Sequence, residues 1–186
     1  ASKFHYQFNL KDIANIFQGL LKTNSSMYRD GACKFLRVWL HECHRVFADR
    51  FIQMSHHAEL QSMFEKLASR HFVGLVGAIK EDLFAQPLVM TSFIAEVQCH
   101  ERHYLLAKDM SSLKKVLEDK LTEYNSEHSV MNLVLFDDAM LHVCRITRIT
   151  DNPCGHALLI GVGGSGKQSL SKLSSFINGL DVLSIL

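Results

Sequence analysis

Proline is almost absent from this sequence, with 2 in 186 residues, and charge of one sign is missing, since 20 basic side chains face 19 acidic ones. A net charge of +1 lacks the basic excess on which electrostatic nucleic-acid binding depends, so no nucleic-acid partner is expected. Few prolines, 21% charged residues and no long polar run exclude the composition of a disordered chain. Long apolar runs are missing too. Those at 72–79 and 131–136 fall far short of the roughly 20 residues that span a bilayer, so no membrane partner is expected. The cysteines at 33, 43, 99, 144 and 154 are odd in number and form no Cys-x-x-Cys pair, which reads as reduced thiols rather than a disulfide framework or zinc site. The N-terminus has neither an initiator Met nor a basic-then-apolar leader, and the last residues are apolar; both ends read as cuts through a longer polypeptide.

What is present is enough apolar material, 47% of the residues, for a sizeable core. The first 125 residues read as helical. Leu10, Ile13, Ile16, Phe17, Leu20 and Leu21 share one helix face, with Asn9 as N-cap and Asp12 at the reciprocal position. Phe35, Val38, Trp39, Val46 and Phe47 repeat the helical period, as do Leu60, Met63, Phe64 and Leu67, and again Leu113, Val116, Leu117 and Leu121. The run from Pro87 to Ile94 reads equally as a strand or an extended connector. Composition shifts near Asn125-Ser-Glu-His-Ser129, and a further helix is expected from Asp137 to about Ile149. After a turn over 151–155, Ala157 to Ile160 reads as a buried strand, Leu170, Leu173 and Ile177 as a helix closed by Asn178-Gly179, and Val182 to Leu186 as a second strand.

Six of the ten glycines lie between Gly155 and Gly179, four of them in six positions. The loop is Gly161-Val162-Gly163-Gly164-Ser165-Gly166-Lys167-Gln168-Ser169. Between a strand and a helix it satisfies G-x-x-x-x-G-K, a phosphate-binding pattern in which backbone N–H groups and a helix N-terminus face an anion. Lys167 would reach the β- and γ-phosphates. Ser or Thr normally follows the lysine and binds Mg²⁺; here Gln168 stands there, an amide that can serve the metal only as a bulkier ligand, directly or through water. Gly161, Gly163 and Gly166 also satisfy G-x-G-x-x-G, the dinucleotide fingerprint, which has no use for the lysine and needs an acid about 20 residues on. A purely structural glycine turn is the third reading.

Other patterns carry less. Leu133-Val-Leu-Phe-Asp137-Asp138 has the form of a metal-holding strand end, but an acidic helix N-terminus accounts better for it. His41-Glu-Cys-His44 and His100-Glu-Arg-His103 miss the zinc spacing by one residue.

Met131 to Met140, His142 to Ile146 and the loop Gly161 to Leu170 resemble the opening of the fourth AAA+ module of axonemal dynein heavy chains, whose loop characteristically carries Gln. Lys3 to Asp12, Phe17 to Leu21, Trp39 to Glu42 and Arg45 to Arg50 resemble the helical lid of the third module, and the wording is nearest an outer-arm β-type chain. The resemblance implies a mixed fold, a helical lid over residues 1–125 followed at 126–186 by the first strand–loop–helix–strand unit of a P-loop NTPase. It implies ATP or ADP with Mg²⁺ as cofactors, Gly161 to Ser169 as the nucleotide-binding residues, Gln168 on the metal side, and Lys11 at the second-sensor position of the preceding module, where the family has Arg. It further implies neighbouring AAA+ modules as partners, with microtubules and the intermediate and light chains reached through other parts of a parent located in the cytoplasm, cytoskeleton and ciliary or flagellar axoneme. Two alternatives stand beside a regulatory nucleotide site: a ring-building scaffold with a vestigial loop, and a dinucleotide-dependent oxidoreductase.

Overall fold

A computed structural model describes residues 6–24, 28, 31–72, 82–94 and 104–185. The chain divides into two compact units between Leu88 and Val89.

In the first unit, α1 (Leu10–Leu20), α2 (Ala32–Phe47) and α3 (Met54–His71) occupy the stretches where the sequence repeats at helical spacing. The capping box at the start of α1 is formed. Asn9 Oδ1 accepts from the N–H of Lys11 at 2.9 Å and of Asp12 at 3.3 Å, while Asp12 Oδ2 accepts from Asn9 N–H at 2.8 Å. Arg50, in a 3₁₀ turn at Ala48–Arg50, adds an ion pair to Asp12 Oδ1 and a hydrogen bond to the Gln7 carbonyl at 3.2 Å, and its guanidinium lies over the Phe8 ring. Burial would raise the Asp12 pKa, but the Asn9 N–H and Arg50 outweigh it and hold the carboxyl below its ordinary range.

Helix α1 buries only part of its apolar stripe: Ile16 is buried and Leu20 packs beside it in the core. Leu10 is 83% exposed and Phe17 60%, whereas Asp12, Ile16 and Gly19 are buried. Gly19 is there because nothing larger fits: a Cβ would stand 1.7 Å from Oε2 of the fully buried Glu42 on α2. Behind it, Ile16, Leu40, Cys43, Val46 and Phe64 form the core, with Trp39 edge-on to Phe64 at 5.6 Å.

In the second unit a two-residue strand, β1 (Met90–Thr91), pairs antiparallel with β2 (Leu105–Leu106), Met90 opposite Leu106. The run that reads either way in sequence is thus extended and partly laddered. Helices α4 (Met110–Glu127), α5 (Asp137–Thr150) and α6 (Lys167–Ile177) share one core through Leu113, Leu117, Met140, Val143, Leu173 and their neighbours. Because α4 packs in this core, the boundary expected at 125/126 falls inside a helix, and the compact division lies at 88/89 instead. Asp137 and Asp138 open α5, as the helix reading of that acidic pair requires.

Two expectations fail. Ala157–Ile160 and Val182–Leu186 read as strands, the first of them buried. Residues 157–160 and 182–185 are in no ladder, Leu186 is outside the described residues, and Leu158, Ile160 and Ile185 are 87%, 88% and 91% exposed. A strand apolar on both faces forms only between neighbours that supply hydrogen bonds and cover, and none flanks these segments among the described residues. The fold is mixed, helical with a small sheet. Among the described residues no helix is long and apolar enough to cross a membrane.

Two predictions follow from the first unit. Gly19→Ala gains helix propensity worth about 1 kcal/mol but forces Glu42 aside in a closed core, so a net loss of roughly 1–2 kcal/mol is expected, read as a lower urea midpoint. His44, half-buried beside Phe64, has its pKa pushed down from 6.5 to about 4, by burial first and then by Arg45 and His57. The unfolded chain therefore takes up this proton at higher pH than the folded one. The neutral ring's contribution is fully present above pH 6.5 and is lost as pH falls from about 6.5 to about 4. Urea unfolding should weaken by about 1–3 kcal/mol across that window, and His44→Phe should flatten that part of the profile.

Candidate nucleotide site

The candidate site is built where an extended segment meets α6. Its foundation is the far end of that helix. Asn178 Nδ2 donates to the Thr147 carbonyl at 2.8 Å and to Thr150 Oγ1 at 2.7 Å, both on α5. Gly179, with φ of +68°, closes the helix: its N–H donates to the Phe176 carbonyl and that of Leu180 to Ser175, each at 2.9 Å. This is the Schellman pattern, and it uses the Asn-Gly pair that the sequence offered as a cap. Leu170, Leu173 and Ile177 point into the core, so the N-terminus of α6 is held at a fixed place and angle.

At that N-terminus the loop Gly161–Gly166 turns back on itself. Gly164 and Gly166 have φ of +76° and +78°, which side-chain-bearing residues adopt only under strain, and Gly166 is the N-cap of α6. A Cβ built at Gly163, Gly164 or Gly166 would meet nothing within 4 Å, so the loop is uncrowded at these three positions. Among the described residues the Ser165 N–H donates to the Val162 carbonyl at 3.3 Å, while those of Gly163, Gly164 and Gly166 donate to no backbone carbonyl. Donors not taken by the backbone, uncrowded glycines and a helix N-terminus suit a phosphate chain. On these observations the residues fit a nucleotide.

Lys167 is the first residue of α6, and its side chain folds over the loop. Nζ donates to the carbonyls of Gly161 and Val162, each at 2.7 Å, and to Ser165 Oγ at 3.0 Å. The ammonium thus sits at the mouth of the turn, where an anion cradled by the loop would meet it. Gln168 is exposed and Ser169 half-buried. Gln168, Ser169 and Lys172 form one wall of a cavity of about 280 Å³. The other wall is Tyr124 and the stretch Ser129–Asn132, which precedes α5. Asn125 fixes this stretch by gripping both polar atoms of the Met131 backbone, accepting from its N–H at 2.8 Å and donating to its carbonyl at 3.3 Å.

The structure therefore gathers Gly161 through Ser169 into one loop and helix start. No local pattern marks the Tyr124 and Ser129–Asn132 wall, because those residues become neighbours of α6 only through tertiary packing. The polar run at 125–129 was the available signal, and it reads only as a boundary.

Lys11 lies in the first unit, in the first turn of α1. Its N–H is used in the cap and its side chain is exposed. His41 is buried with Nδ1 3.0 Å from the Leu88 carbonyl, and His44 lies against Phe64; no metal-binding group of His, Cys, Asp or Glu occurs among the described residues. His100 and His103 lie outside them.

Residues 1–82 match the family model described as an AAA+ lid domain, and residues 131–186 match that of the P-loop containing dynein motor region D4. Human dynein axonemal heavy chain 17 is 43% identical over 185 residues, and the ciliary dynein beta chain of Heliocidaris crassispina 42% over 185. The flagellar outer-arm dynein beta chain of Chlamydomonas reinhardtii is 45% identical over 189 residues. Each alignment covers 100% of this chain and 4% of the relative, so the chain spans a small fraction of these proteins' length. Along its whole length the chain is a homologue of one stretch of the axonemal dynein heavy chains, an AAA+ lid followed by the opening of the P-loop dynein motor region D4.

Proposed function

We propose that this chain is a nucleotide-binding segment of an ATP-driven, microtubule-based motor of cilia and flagella, and that its loop is a regulatory or structural nucleotide site. The observation that carries the reading is the loop itself: uncrowded at Gly163, Gly164 and Gly166, turned at Gly164 and Gly166 through positive φ that glycine adopts freely, and capped by the Lys167 ammonium. The names of the relatives, axonemal, ciliary and flagellar, support an axonemal, cytoskeletal setting for the parent.

In this reading ATP or ADP is the ligand and Mg²⁺ accompanies its phosphates. The backbone N–H groups of Gly163, Gly164 and Gly166 hold the phosphate oxygens, Gly161, Val162 and Ser165 shape the turn, the Ser165 N–H closing it on the Val162 carbonyl, and Lys167 neutralises the charge at its mouth. Gln168 and Ser169 extend the contact along α6. The bound nucleotide would supply the phosphoanhydride energy and the metal; the chain's own part is binding and orientation. The first compact unit, whose residues 1–82 match the lid model, acts as the lid of one module and residues 131–186 as the start of the next, with Lys11 as a cation directed at the nucleotide of the preceding module. Neighbouring modules of the same heavy chain are the direct partners. Microtubules and the intermediate and light chains are met by other parts of the parent.

The runner-up is a ring scaffold with a vestigial loop, favoured by Gln168 at the position where Ser or Thr usually serves the metal. A dinucleotide-dependent oxidoreductase has nothing here in its favour, since Lys167 crowns the loop that reading would leave open.

Two outcomes test the proposal. Equilibrium binding of ATP or ADP to the intact heavy chain should lose the occupancy of this site on Lys167→Ala, by about 10²-fold in affinity for a lost charge-assisted contact to phosphate; occupancy indifferent to the lysine favours the scaffold. Phosphoryl transfer needs metal-holding acids, a sensor and a neighbouring cation acting together, so the 186-residue segment alone should show no steady-state phosphate release. Magnesium-dependent turnover lost on Lys167→Ala would sink that expectation.

A further inference from the structure

We infer that the Ser165 hydroxyl is a latch on Lys167: it holds one donor of the ammonium against the loop and so sets the affinity of the site downward. The inference rests on reading the loop as a nucleotide site, and it deepens that reading by adding a residue that opposes binding. Two observations carry it. One is the bond from Lys167 Nζ to Ser165 Oγ at 3.0 Å, and the other is the room kept for that bond at Gly161.

The contacts of the ammonium are unequal. Nζ lies 2.7 Å from the Gly161 carbonyl and 2.7 Å from that of Val162. Both are backbone groups, and the Val162 carbonyl is also tied to the Ser165 N–H at 3.3 Å. Ser165 Oγ is the longest of the three contacts and the only one made by a side chain. An ammonium has three donors and no acceptor, so all three are in use. A phosphate oxygen therefore gains a bond to Lys167 only by taking a donor from one of these oxygens. The serine is the one that gives way. A turn about its χ1 carries Oγ off, whereas moving either carbonyl means turning a peptide of the loop. Ser165 is exposed, so the released hydroxyl is taken up by water.

Gly161 shows that the loop makes room for this arrangement. Unlike Gly164 and Gly166 it does not have a positive φ, so backbone freedom does not account for it. A Cβ there would stand 2.9 Å from Ser165 Oγ, too close to be borne without a shift, and 3.5 Å from Lys167 Nζ. The missing side chain is what lets hydroxyl and ammonium meet beside the first residue of the loop. Ser165 thus turns both its N–H and its hydroxyl oxygen to the loop itself, while the N–H groups of Gly163, Gly164 and Gly166 donate to no backbone carbonyl among the described residues.

The test uses the full heavy chain with ADP and Mg²⁺. Hydrogen–deuterium exchange of the peptide spanning 161–169 gives a binding curve that reports this site alone. Ser165→Ala should move its midpoint about five-fold to lower ADP, the worth of one exposed hydrogen bond that phosphate no longer has to displace. Ser165→Thr keeps the hydroxyl and should leave the midpoint in place. Tripolyphosphate with Mg²⁺, which has no base, should show the same shift as ADP. In a Lys167→Ala background Ser165→Ala should change nothing, because no ammonium remains to be held; a merely structural serine would still show its effect there. The inference is overturned if Ser165→Ala leaves the midpoint unmoved or raises it, if Ser165→Thr acts as Ser165→Ala does, if tripolyphosphate does not follow ADP, or if the effect survives Lys167→Ala. Protection of this peptide that ADP never induces, or that Lys167→Ala leaves unweakened, would instead overturn the nucleotide reading itself.

Discussion

The packing of α6 against α5 is the constraint on which the candidate site depends. A glycine loop has no fixed shape of its own, since the freedom that lets Gly164 and Gly166 take positive φ is equally available to a disordered turn. What fixes the loop is that its last residue is the N-cap of a helix anchored at the other end. Leu173 and Val143 are fully buried between the two helices, Ser174 Oγ donates to the Val143 carbonyl at 3.4 Å, and Asn178 binds α5 at two points. An isolated 11-residue helix is marginal in water, so tertiary packing, and not propensity, holds the N-terminus of α6 in position.

Much of this was legible in the sequence. The lysine and glycines of the loop, the Asn-Gly cap and the apolar triad Leu170, Leu173 and Ile177 are all local, and each sits where its chemistry calls for it. The capping box at Asn9 and Asp12 is local too, and it formed with both of its hydrogen bonds. What escaped was whatever depends on a distant neighbour. Ala157 to Ile160 has the residues of a central strand, but a strand is a property of a ladder, and no partner flanks it among the described residues. The cavity wall at Ser129–Asn132 escaped for the converse reason: nothing in those four residues signals a site until α6 is laid beside them.

Helix α1 separates two things that periodicity is often asked to give at once. Its spacing of Leu10, Ile13, Ile16, Phe17, Leu20 and Leu21 identifies a helix correctly, yet of these Ile16 and Leu20 pack in the core while Leu10, Ile13, Phe17 and Leu21 are exposed. The buried side carries Asp12 and Gly19, one committed to Arg50 and the cap, the other leaving room for Glu42. Close approach through a glycine and a charge pair share the buried side with Ile16 and Leu20. The consequence for Lys11 is that its backbone N–H belongs to the cap while its side chain is exposed.

The loop lysine makes the strength of binding a difference and not a sum. Its ammonium has three donors, and three oxygens of its own loop and helix start take them. Those acceptors are neutral. Phosphate oxygens are anionic, so the exchange adds ion–ion attraction to bonds that the charged donor already makes strong, and it is favourable by only part of the gross value. The rest must come from donors not already engaged. In this loop those are the N–H groups of Gly163, Gly164 and Gly166, which donate to no backbone carbonyl among the described residues. The glycines therefore do more than permit the turn: they present the donors that make the exchange at Lys167 worthwhile. A substitution that merely rotated one of these peptides would weaken binding while leaving the lysine in place.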